Sequence, residues 1–124
     1  MVQVDISQLT RECNGWREQL RNYREEFTQD ETKLRQVASQ QLSKEQLQDV
    51  EHLHNQFHIQ LINIHDLKQS IKAHDRTIQF EKDNLSETSY VVHETLLNEF
   101  LSLENTLQEL RVEFNGFVNK TSWT

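Results

Sequence analysis

A six-residue pattern occurs three times along the chain: Val4-Asp5-Ile6-Ser7-Gln8-Leu9, Leu42-Ser43-Lys44-Glu45-Gln46-Leu47 and Leu85-Ser86-Glu87-Thr88-Ser89-Tyr90. Each begins with an apolar residue and continues with a side chain able to accept hydrogen bonds from the free N–H groups of a helix start. Four residues beyond that cap stands an apolar partner for the residue preceding it. This is an N-cap with a hydrophobic staple, and in the first two cases Gln8 and Gln46 stand where a capping box needs them. Helix starts at Asp5, Ser43 and Ser86 divide the chain into three segments of similar length, with helices expected over about 5–41, 44–83 and 87–119.

The apolar spacing inside each segment agrees. The first segment alternates steps of three and four through Ile6, Leu9, Cys13, Trp16, Leu20, Tyr23, Phe27, Asp30, Leu34, Val37 and Gln41, the heptad signature of helices packing with a left-handed supercoil. The second follows Leu47, Val50, His54, Phe57, Leu61, Ile64, Lys68, Ile71, Asp75, Ile78, Lys82 and Leu85. One of its two lines stays apolar and the other turns polar after Leu61, while Leu53 and Leu67 draw the buried stripe toward their own side. The third runs His93, Leu96, Phe100, Leu103, Leu107, Leu110, Phe114 and Phe117, widened by Leu97, Leu101 and Val118. Thr121 to Thr124 are expected to fray, with Trp123 placed to dock on the bundle end.

The chain has no proline and two isolated glycines, Gly15 and Gly116, so connections should be short and neighbouring helices antiparallel. The expected fold is all-α: one domain, an antiparallel up-down-up three-helix bundle of rods about 50 Å long. This is similar in architecture to a spectrin-type repeat, with no family-specific residues behind the likeness.

Charge and composition bound the partners. Twenty acidic against 13 basic side chains give a formal charge of -7, which disfavours phosphate backbones and anionic membranes. No stretch approaches the ~20 apolar residues that span a bilayer, and no secretory signal is visible. One cysteine suits a reducing cytoplasm. Cys13, on the seam, reads as a small buried hydrophobe. No nucleophilic triad or glycine-rich phosphate loop is legible, so the expectation is a non-enzyme without a cofactor.

Histidine is the conspicuous residue type. Glu51, His54, His58 and His65 share one flank of the second helix, and His54 and His58 have the spacing at which two imidazoles grip one metal ion. The complementary ligands of a di-iron or hemerythrin-like bundle are missing from the other helices, so this metal site is the alternative reading. A second expectation concerns Asp30 and His54, both polar residues at seam positions. Counting across the first turn sets them at one level, where they would form a buried polar pair. The leading functional expectation is a self-associating or partner-binding module, a homodimer above all. Its interaction surface is expected at Ile59, Ile62, Leu97 and Leu101, which lie outside the narrow seam.

Overall fold

The computed structural model describes residues 6–121. They form three helices, α1 (Ile6–Ala38), α2 (Lys44–Phe80) and α3 (Glu87–Thr121), packed as an up-down-up bundle. The helices end three residues earlier than expected in α1 and α2 and run two further in α3, so that Thr121 is buried and donates its hydroxyl to Phe117 O. The cap at Asp5 and the docking of Trp123 lie outside the described residues.

The two interior starts are built from the expected groups. Ser43 Oγ accepts the Gln46 N–H at 3.1 Å, and Gln46 Oε1 accepts the Ser43 N–H at 2.8 Å, completing the capping box. At the third start Ser86 Oγ accepts the Ser89 N–H. Here serine replaces glutamine in the capping position, and Glu81 supplies the missing acceptor from the end of α2. Its Oε1 takes the Ser86 N–H at 3.0 Å and the Ser89 hydroxyl at 2.7 Å. These bonds hold the Glu81 carboxyl below its usual range, the Ser89 bond contributing most. The staples differ: Leu85 and Tyr90 pack half-buried against the core, whereas Leu47 remains exposed.

The buried stripe of α1 follows the expected seam from Leu9 to Val37. That of α2 is Leu53, Phe57, Gln60, Ile64, Leu67, Ile71, His74 and Ile78. The constant apolar line is as expected, but the second line is Leu53-Gln60-Leu67-His74 instead of His54-Leu61-Lys68-Asp75. A shift of one residue turns a helix by about 100°, and the cost of burying Lys68 and Asp75 decides which line faces inward. Near the α1–α2 turn, Phe27, Phe57 and Phe114 meet edge to face, with ring centroids 5.3 and 5.1 Å apart.

This rotation overturns the Asp30–His54 pair. The expected level is right, since Glu31 Oε1 lies 3.5 Å from His54 Nδ1. His54 nevertheless points outward along the exposed flank, and Asp30 turns to α3. Arg111 donates through Nε to Asp30 Oδ2 at 2.9 Å and through Nη2 to Oδ1 at 3.2 Å, while Nη1 reaches Glu26 at 3.1 Å. A planar guanidinium satisfies a buried carboxylate at both oxygens, which one imidazole cannot do.

The parallel pair α1 and α3 keeps one register along its length. Glu12–His93, Tyr23–Glu104 and Asp30–Arg111 are each 81 positions apart. Tyr23–Gln108 and Glu26–Arg111 are 85 apart, one helical turn further.

Candidate functional site

Toward the other end of the bundle, where α2 hands over to α3, each helix contributes a polar or sulfur-bearing residue to the interior. Cys13 comes from α1, His74 from α2 and His93 from α3, and all three are buried. Their potential donor atoms lie within 4.8 Å of one another. His74 Nε2 is 3.0 Å from His93 Nδ1, and His93 Nε2 is 2.9 Å from Glu12 Oε1. Trp16 covers one side, its ring centroid 4.8 Å from that of His93.

The hydrogen bonds assign protons in the order in which they are anchored. An ionised Glu12 only accepts, so His93 Nε2 carries a proton toward it. His93 Nδ1 is then an acceptor, and His74 Nε2 donates to it. The result is a carboxylate–imidazole–imidazole chain ending beside a thiol. Burial drives the Cys13 thiol up to about 12, with Asp75 and Glu12 adding to the rise. Burial also lowers His74, and His93 lowers it further, against smaller opposing effects from Asp75 and Glu81. Both groups are therefore neutral at neutral pH.

The histidine flank is arranged differently. Glu51, His54, His58 and His65 are all exposed along α2; Glu31 approaches His54 alone, and among the described residues no group of three ligand-bearing side chains forms on this flank. His52, one position from that flank, turns to the other side and meets Glu113 of α3 at 2.9 Å. The expected interaction residues also separate. Ile59 stands one heptad beyond His52 and so faces the α3 side of α2. Leu97 stands one heptad before Glu104 and faces the α1 side of α3, half-buried. Ile59, Ile62 and Leu101 are exposed, but the four do not share one patch.

Sequence reading placed Cys13 and His93 on the seam and assigned neither to a site; His74 was left out of both seam and site. The missing signal is the second line of α2: with Leu53 and Leu67 taken as that line, its next member is His74. No described helix is long and apolar enough to cross a membrane. No protein-family model matches the chain, and neither a curated protein nor a solved structure matches it significantly.

Proposed function

We propose that this chain is a non-catalytic helical module that pairs with a second copy of itself through the outer face of α2. The observation that carries the reading is a second run of three-and-four steps along exposed α2, with Ile62, Gln69 and Arg76 opposite the buried stripe and Asp66, Ala73 and Phe80 on the line of His52 and Ile59 that borders α3. All six are exposed, Ile62 at 48% and Phe80 at 91%. Phe80 is the most exposed large apolar side chain among the described residues.

The run is complementary to its own reverse. When two such helices lie antiparallel about a two-fold axis, Ile62 meets Phe80 of the other copy, Asp66 meets Arg76, and Gln69 meets Ala73. An apolar pair at each end, an ion pair inside it and a small residue at the centre are what an isologous contact requires. Neither Asp66 nor Arg76 has an ion-pair partner among the described residues, so both remain available to it. The single buried thiol suits a reducing compartment such as the cytoplasm, and the excess of acidic residues argues for a protein partner over nucleic acid.

Sedimentation equilibrium tests this directly. The wild-type chain is expected to dimerise at tens of micromolar, the weak end of an interface this short. Arg76→Asp sets like charges opposite each other and should shift the protein to monomer. Combining it with Asp66→Arg restores opposite charges and should restore the dimer. A wild-type protein that stays monomeric to several hundred micromolar overturns the reading, as does a double variant no better than the single.

A further inference from the structure

We propose that Cys13, His74 and His93 form a mononuclear site for a zinc-class divalent cation, with Glu12 orienting His93 from outside the ligand set. The three donors come from three different helices and meet in the bundle interior, and their donor atoms already lie within 4.8 Å of one another. Tetrahedral zinc with bonds of about 2.0–2.1 Å to nitrogen and about 2.3 Å to sulfur separates its nitrogens by about 3.3 Å and nitrogen from sulfur by about 3.6 Å. The His74 Nε2–His93 Nδ1 separation is 3.0 Å, so the imidazoles need to part by a few tenths of an ångström, while the widest donor separation of 4.8 Å must close by about 1 Å for the thiolate to join them.

Exposed clusters of acids are common without an ion; this cluster is buried and combines a sulfur and two imidazoles. That donor set suits zinc, cobalt or copper and not magnesium or calcium. A metal-ligating histidine almost always donates its other N–H to a carboxylate or carbonyl. Glu12 already accepts from His93 Nε2 at 2.9 Å, leaving Nδ1 to face the cluster. The Glu12 side chain is 40% exposed, which puts the site within one side chain of solvent. Binding moves protons in a defined way. The Cys13 Sγ–H bond breaks, its electron pair passes to the metal and its proton leaves to solvent. His74 shifts its proton from Nε2 to Nδ1, freeing the nitrogen that faces the ion. Three protein donors leave the fourth tetrahedral position to water or an incoming small ligand.

Cobalt(II) is the informative probe, because its thiolate charge-transfer absorption reports the Cys13 bond directly. Metal-free protein, prepared without an affinity tag, is expected to take up one equivalent of cobalt with that band, and zinc should displace it. Cys13→Ala should keep the helical circular dichroism and lose the band. Glu12→Gln, at a half-exposed position that does not threaten folding, should retain the band while weakening zinc binding by about 10- to 100-fold. The double variant His54→Gln/His58→Gln should bind as the wild type does. Saturating cobalt without a sulfur band overturns the proposal, as does a band that survives Cys13→Ala. Binding lost in the His54/His58 variant moves the metal to the exposed flank and overturns it too.

Discussion

Two interior layers of this bundle, one in each half, are filled by opposite chemistry. Near the α1–α2 turn, one residue from each helix supplies a phenylalanine, and Phe27, Phe57 and Phe114 are almost completely buried. Near the α2–α3 turn, the corresponding contributions are Cys13, His74 and His93, also buried. The aromatic layer stabilises without direction, by removing surface from water and by edge-to-face contact. In the other layer the two imidazoles are joined by a chain of hydrogen bonds running out to Glu12, with the Cys13 thiol beside it. A bundle that needed only stability would repeat the first layer. The second is the part of the interior that packing alone does not account for.

The largest test of this contrast is in the aromatic layer. Phe57→Ala is expected to cost about 3–5 kcal/mol in denaturant unfolding, since the ring touches both other phenylalanines and its loss leaves a cavity. A loss below about 1 kcal/mol would mean that the layer is not the tightly packed partner described above.

Arg111→Met should cost about 2–4 kcal/mol, because it leaves the Asp30 carboxylate buried without its bidentate donor. Removing the charge as well, in Asp30→Asn/Arg111→Met, should recover part of that loss. No recovery would show that Arg111 acts through its alkyl stem alone.

Acidification from pH 8 toward pH 5 should act through His74 in the cysteine–histidine layer. The His74 pKa is depressed in the folded metal-free protein from its ordinary 6.5. The unfolded chain therefore binds the proton more readily, and stability falls as pH drops through and below 6.5. The groups facing His74 are His93, Asp75, Glu81 and Cys13, and the first opposes its protonation while the two carboxylates favour it. Thermal unfolding between pH 8 and pH 5 measures this. His74→Gln should flatten that dependence, and Phe57→Ala should leave its slope unchanged.

The smallest effect is shared by the two halves. An added Cβ meets nothing within 4 Å at Gly15 or Gly116, so each Gly→Ala change should gain about 0.5–1 kcal/mol of helix propensity. A loss at either position would reveal a close neighbour.

Much of this architecture was legible because its causes are local. Ser43, Gln46 and Ser86 announce helix starts through bonds made within four residues, and a heptad stripe declares its own buried face. The level of Asp30 against the His54 region was also legible, since a short turn fixes the register of a hairpin. Arg111 as the partner of Asp30 was not: it lies 81 positions away on a helix whose rotation no local signal sets. His74 was hidden for a related reason. Two adjacent lines on α2 compete to face inward, and the choice between them depends on what the other two helices tolerate.

The fixed spacing between α1 and α3 settles an ambiguity that heptad packing leaves open. A leucine stripe repeating every seven residues is nearly blind to a slide of one full repeat. The polar side chains are not. Slipping α3 by one repeat in one direction would set Glu104 against Asp30 and Arg111 against Val37. Slipping it in the other would set Glu104 against Trp16 and Arg111 against Tyr23. The charged residues between these two rods thus work as the teeth of a ratchet, admitting one alignment where the greasy edge alone would accept several.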